Sequence, residues 1–126
     1  KIAEFLAAHE DVASVDYPGL PGNRYHALAK RLLPKGAGAI FSFTVKGGQA
    51  RAEKFIEAVK IFSFLANVGD SKSLIVHPAT VTHAQLDERQ QREVGITPEL
   101  IRLSIGTEDP GDLIWDLNQA FDRSRD

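Results

Sequence analysis

Ile40-Phe41-Ser42-Phe43-Thr44-Val45 changes character at every second residue, and the fold can be read outward from it. Phe41, Phe43 and Val45 share one face while Ile40, Ser42 and Thr44 share the other, the period of a half-buried strand, which with Ala39 spans 39–45. Gly47-Gly48 breaks the run, and the period then lengthens to that of a helix. Ala52, Phe55, Ile56, Val59 and Phe62 fall on one stripe, with Arg51, Glu53, Lys54, Glu57 and Lys60 mostly off it. A strand with one apolar face beside a helix with one apolar stripe is the minimal unit of two packed layers.

The same alternation continues in both directions. Upstream, Ile2, Phe5, Leu6 and His9 recur at helical spacing, and Val12 to Tyr17 reads as a strand running into the turn-rich Pro18-Gly19-Leu20-Pro21-Gly22. Asn23 is predicted to cap a helix whose apolar face is Tyr25, Leu28, Ala29 and Leu32, stopped by Pro34. Downstream, Leu74-Ile75-Val76 is a short buried strand ended by Pro78, and 85–93 is a charged helix. Thr97-Pro98 predicts a capped single turn, and 101–105 another strand. Asp109-Pro110 caps the last helix, with Asp112 where a negative charge suits the helix dipole and Leu113, Leu117, Ala120 and Phe121 facing inward. Alternating elements of this kind predict a single two-layer α/β sandwich over all 126 residues.

Composition narrows the function. A net charge of −2 gives no electrostatic case for nucleic acid or an anionic membrane. No apolar run approaches the roughly 20 residues that span a bilayer, and nothing resembles a signal peptide. Without cysteine there is no disulfide, thiolate metal site or thiol nucleophile, which suits a cytoplasmic home. The absence of methionine and a helix that opens without a cap lead us to expect a piece of a longer polypeptide.

Few residues suggest chemistry by pattern alone. Gly36-Ala37-Gly38 precedes a strand and has Phe41 where a dinucleotide fingerprint needs its third glycine, so it reads as a turn. Gly47-Gly48 before a helix serves as a strand-to-helix turn as readily as an anion cradle. His77 and His83 are not at helical ligand spacing and have no evident third ligand, so they read as hydrogen-bonded turn histidines and no metal is expected. Asp87 to Glu93 reads as a solvated charged face. Arg102 lies opposite the Ile101, Leu103, Ile105 face. It is either an ordinary solvent-facing arginine or a bidentate fork for a carboxylate.

Longer motifs bear on that choice. Tyr17-Pro18-Gly19-Leu20, with Tyr25-His26 and Ala29-Lys30-Arg31, is followed by Leu33-Pro34-Lys35-Gly36-Ala37-Gly38-Ala39, Phe41-Ser42-Phe43 and Lys46-Gly47-Gly48. Then come 65–74, His77-Pro78-Ala79-Thr80-Val81-Thr82-His83, and Ile101-Arg102-Leu103-Ser104-Ile105-Gly106 leading to Glu108-Asp109. In order and spacing these resemble the Cys/Met-metabolism family of pyridoxal-phosphate enzymes over nearly the whole chain. Segment 65–74, with Asn67 where lyase and synthase relatives more often have serine, resembles the sulfhydrylase branch in particular.

The resemblance implies the small C-terminal, substrate-side domain of an aspartate-aminotransferase-like (fold type I) enzyme, with the cofactor-binding large domain absent from this chain. It implies that Arg102 binds the substrate α-carboxylate, that Asn67 sits beside that group, and that Thr82 lies near the pocket. It assigns no catalytic residue and no cofactor ligand to these residues; none of Lys30, Lys35, Lys46, Lys54, Lys60 or Lys72 has the context of the cofactor-anchoring lysine. The whole enzyme is expected to use pyridoxal 5'-phosphate, to exchange the acetyl group of O-acetylhomoserine for sulfide or a thiol, and to be a homotetramer. The fragment alone is expected to bind no cofactor and to be inactive. A cystathionine γ-synthase or methionine γ-lyase relative is the alternative enzyme. A standalone small-molecule-binding regulatory module and a purely structural oligomerisation domain are the readings from other classes.

Overall fold

The central strand is β5 (Leu100–Ser104), and every other part of the sheet is placed by it. In the computed structural model, which describes residues 1–125, it lies between β2 (Ile40–Val45) and β4 (Leu74–Val76). β1 (Val12–Asp16) pairs with the far side of β2, and a two-residue β3 (Ser63–Phe64) pairs with the far side of β4. All neighbours are antiparallel except β3 and β4, which run parallel. The helices are α1 (Ile2–Ala8), α2 (His26–Leu32), α3 (Gly48–Ala58), α4 (Glu88–Glu93) and α5 (Pro110–Arg123).

The alternation predicted for β2 holds: Phe41, Phe43 and Val45 are buried while Ile40, Ser42 and Thr44 are half-buried. The buried face meets α1, α3 and α5. Phe43 lies edge-on to Phe55 at 5.8 Å and to Phe121 at 6.3 Å, and Phe55 and Phe121 pack at 4.5 Å. Removing such a ring from water contributes about 1.5–3 kcal/mol, and paired aromatics add roughly another 0.5–1.5. Leu113, Leu117, Ala120 and Phe121 face this core as the stripe on α5 predicts. Asp109 caps that helix by accepting from the Gly111 N–H at 2.7 Å, with Pro110 at its first turn.

Asp116 also points inward from α5, fully buried. Its carboxylate accepts the backbone N–H groups of Lys60 (2.8 Å), Ile61 (2.7 Å) and Phe62 (3.2 Å), just past the end of α3. Three donors that would otherwise lose water are satisfied by one side chain, which ties α5 to the entry of β3.

Several elements differ from the sequence reading. The α2 face of Tyr25, Leu28 and Leu32 is exposed, and no residue of that helix is buried, because nothing among the described residues packs on it. Asn23 stands two residues before the N-cap, Tyr25, and accepts that residue's N–H at 2.9 Å. α4 starts at Glu88 rather than near Gln85, since Asp87 and Gln90 form a reciprocal capping box. After Thr97-Pro98 the chain makes a turn, the Leu100 N–H donating to the Thr97 carbonyl, and goes straight into β5. Val59 and Phe62 lie beyond the last turn of α3. His9 follows α1 and stacks on Phe121 at 4.0 Å. No helix among the described residues is long and apolar enough to cross a membrane.

Candidate functional site

α1, α3 and α5 cover one face of the sheet, and chemistry can gather on the other. Register places Asp16, Ser42, Arg102 and Val76 in one row across that second face, on β1, β2, β5 and β4 in turn. Arg102 is half-buried at the foot of a cavity of about 220 Å³, shared with Asp16, Ser42, Thr82 and His83. Its guanidinium has no hydrogen-bond or ion-pair partner among the described residues. The carboxylate in the same cavity, Asp16, is two strands away, roughly 10 Å at strand spacing, and accepts from the Asn23 amide at 2.8 Å. Arg102 therefore presents an unused planar fork of N–H donors, the geometry that two carboxylate oxygens match.

Thr82 and His83 reach this cavity from the 77–83 segment after β4. The Thr82 hydroxyl is 2.8 Å from His83 Nδ1 and donates, at 3.4 Å, to the Pro78 carbonyl. Two buried side chains hold the segment. His77, 1% exposed, has Nε2 at 2.6 Å from the Pro98 carbonyl and Nδ1 at 2.8 Å from the Thr80 hydroxyl. A carbonyl only accepts, so Nε2 carries the hydrogen, and in that tautomer Nδ1 accepts from Thr80. Gln91, the one buried residue of α4, donates from Nε2 to the carbonyls of Ala79 and His83, both at 2.9 Å.

A second lock fixes the other end of β5. The Ser73 hydroxyl accepts the Gly106 N–H at 2.9 Å and donates to Glu108 at 2.7 Å, while the Ser73 N–H donates to the same carboxylate at 2.9 Å. Burial alone would raise the Glu108 pKa, but the Ser73 N–H and hydroxyl outweigh it and hold the carboxyl below its ordinary value. Gly106 is required by close approach, since a Cβ there would run into the Ser71 carbonyl oxygen and the backbone of Lys72 and Ser73.

Of the three residues the resemblance singled out, Arg102 and Thr82 line one cavity and Asn67 does not. Asn67 is exposed in the β3–β4 connection, where its Oδ1 accepts the Val68 N–H at 2.8 Å and its amide donates to Asp70 at 3.3 Å. Larger hollows of about 650 and 480 Å³ lie along β1 and beside α3, and neither contains Arg102 or Thr82. His77 and His83 are hydrogen-bonded turn histidines, as the spacing suggested, and no group of three metal-ligating side chains forms among the described residues. Gln91 escaped the sequence reading because it sits in a run that reads as solvated. The capping box that orients its helix, Asp87 with Gln90, was the available signal.

Comparison with known proteins bears on the same segments. The profile of the family described as Cys/Met metabolism PLP-dependent enzyme matches residues 1–122. An O-acetyl-L-homoserine sulfhydrylase of Leptospira meyeri is 46% identical over 122 residues, 96% of this chain and 28% of the relative. Among solved structures, a protein assigned as an O-acetylhomoserine (thiol)-lyase from Campylobacter jejuni subsp. jejuni, carrying N'-pyridoxyl-lysine-5'-monophosphate, superposes with a TM-score of 0.90 at 45% identity. It is covered over 29% of its length by 96% of this chain. A cystathionine gamma synthase from Xanthomonas oryzae pv. oryzae, in complex with aminoacrylate and cysteine, also gives 0.90, at 41% identity, with 98% of this chain and 32% of that one covered. The chain thus spans less than a third of the length of these relatives. With a profile match over almost all of its residues and relatives above 40% identity along the same stretch, the chain belongs to the Cys/Met metabolism family of pyridoxal-phosphate-dependent enzymes.

Proposed function

We propose that this chain is the C-terminal, substrate-side domain of a transferase that replaces the acetyl group of O-acetylhomoserine with sulfide or a thiol. The observation that carries the reading is the unpaired Arg102 guanidinium in a cavity on the face of the sheet opposite α1, α3 and α5. The sulfhydrylase relatives, at 46% and 45% identity, favour the sulfur-transfer branch over the γ-synthase and γ-lyase alternatives.

The donor set fits an amino-acid carboxylate. It does not fit the cofactor: no lysine lines the cavity, and the Lys46 ammonium is engaged with the Glu10 carbonyl at 2.7 Å. In this reading pyridoxal phosphate is held by the remainder of the polypeptide, where it supplies an electron sink for the amino-acid skeleton. Arg102 receives the α-carboxylate in two parallel hydrogen bonds and fixes the direction in which the side chain extends. Thr82 offers a hydroxyl beside it, and Asn67 contributes its backbone or amide when the missing domain brings the β3–β4 connection against the substrate. The exposed apolar face of α2 is then covered by the rest of the polypeptide or by neighbouring subunits of a homotetramer.

The test is steady-state kinetics on the full-length protein. Arg102→Ala is expected to lower kcat/KM for the amino acid by about 2–5 kcal/mol in transition-state terms, and Arg102→Lys by less. The cofactor's visible absorption should be unchanged in both. Near-normal kcat/KM in Arg102→Ala would return the residue to an ordinary surface arginine. Faster reaction with cysteine than with sulfide would favour the γ-synthase reading.

A further inference from the structure

Thr82 and His83 line the Arg102 cavity from a segment without regular secondary structure, and such a segment cannot hold two side chains at fixed positions by its own backbone alone. Its internal bonds are few: the Thr80 and Val81 N–H groups donate to the His77 carbonyl, and the His83 N–H to the Pro78 carbonyl. The remaining restraint comes from side chains that touch neither Arg102 nor the cavity interior. His77 ties the start of the segment to Pro98, in the turn that feeds β5, so the loop and the arginine's strand share one attachment. Gln91 ties the middle and the end by donating to the carbonyls of Ala79 and His83.

α4 has the form of a support for that amide. It is six residues long, capped at both backbone and side chain by Asp87 and Gln90, and exposed everywhere except at Gln91. A further bond, the Ile96 N–H to the Gln91 carbonyl at 2.8 Å, joins the same residue to the chain that returns toward β5. A buried amide whose two donations both reach main-chain carbonyls of one loop costs rotamer freedom and desolvation, and gains by removing that loop's freedom.

We infer that Gln91 and His77 form a positioning clamp that sets Thr82 and His83 in the lining of the Arg102 cavity, so that both act on substrate binding without touching substrate. The inference rests on the reading of Arg102 as the carboxylate anchor. A shift of about 1 Å in a group lining a binding cavity is enough to weaken productive binding by an order of magnitude or more.

The experiment compares Gln91→Met, Thr80→Val and Arg102→Ala with the wild type in the full-length, cofactor-loaded protein. KM for O-acetylhomoserine, KM for sulfide, kcat and thermal midpoint are measured for each. Gln91→Met keeps side-chain length and removes both donors; Thr80→Val removes the partner of His77 Nδ1 at an exposed position. Both are expected to raise the amino-acid KM, Gln91→Met by about tenfold, with kcat and the sulfide KM within about twofold. Gln91→Met combined with Arg102→Ala should then be no worse than Arg102→Ala alone.

An unchanged amino-acid KM in a folded Gln91→Met protein overturns the clamp, as does a fall in kcat with KM preserved. If Gln91→Met does not fold, Thr80→Val decides by the same criterion. A normal KM in Arg102→Ala removes the anchor itself. A weakened Arg102→Ala beside a normal Gln91→Met removes only the clamp.

Discussion

Replacing Asp116 with alanine should remove a large share of this domain's stability. The carboxylate is fully buried and accepts three backbone N–H groups at 2.7 to 3.2 Å, with the Gln119 amide at 3.0 Å as a fourth donor. Hydrogen bonds to a charged group contribute about 1.5–3 kcal/mol each, so three backbone bonds give an upper range of about 5–9. That range overstates the loss. The Lys60 and Ile61 bonds are only part-buried and those N–H groups can take water once the carboxylate is gone, whereas the Phe62 bond lies in the buried interior. A loss of about 3–5 kcal/mol is therefore expected, against a typical domain stability of about 5–15. Asp116→Asn keeps one acceptor oxygen and turns an NH2 toward a donor, so it should lose about 2 kcal/mol. Urea unfolding of the chain followed by far-ultraviolet circular dichroism reads this directly. With a slope of about 1.5 kcal/mol per molar, the alanine midpoint should fall by roughly 2–3 M. A fall of less than about 0.5 M would mean that solvent or relaxation replaces the carboxylate, and the account of α5 as the anchor of the 60–62 turn would be wrong.

Two further outcomes follow from the locks around β5 and α1. Gly106→Ala forces a methyl into the backbone of 71–73, so it should destabilise the chain by about 2–4 kcal/mol and lower its thermal midpoint, while an unchanged midpoint would show that the β3–β4 connection yields freely. Glu108 and Asp11 are both held below their usual values, of 4.5 and 3.8, Asp11 because Arg51 and Arg125 outweigh the effect of its burial. A depressed carboxylate contributes stability that is fully present above its unfolded value and is lost as pH falls through its folded value, so stability should begin to fall below about pH 4.5. Ser73→Ala should flatten that acid dependence, and an identical pH profile would remove the Ser73–Glu108 pair as its source.

The parts of this fold that show in the sequence are those decided by neighbours along the chain. β2, β5 and the inward stripe of α5 each carry a period that names their buried side, and Asp109-Pro110 names where the last helix starts. Arg102 could be placed on the second face of its strand from alternation alone, although only the resemblance to the family proposed a role for it. Other features depend on partners far away in sequence. Asp116 looks like one more polar residue of an amphipathic helix until the 60–62 turn is folded against it. β3 is too short to show a period. Gln91 is indistinguishable from its charged neighbours without the loop it holds. The apolar face of α2 is legible as a pattern, but nothing among the described residues buries it.

The placement of β5 has a consequence in time as well as in space. β2 and β4 share no ladder with each other; each pairs with a strand that is synthesised later than both. The β4–β5 pairs join residues about 28 positions apart and the β2–β5 pairs about 60, so both of these loops must close before the sheet is continuous. Until residue 104 has been made, β1 with β2 and β3 with β4 are two separate ribbons, each with an open edge of unpaired N–H and C=O groups. A nascent chain halted before β5 would thus be prone to pair with other chains rather than with itself. The strand that carries Arg102 is also the one whose arrival turns those two ribbons into a single sheet.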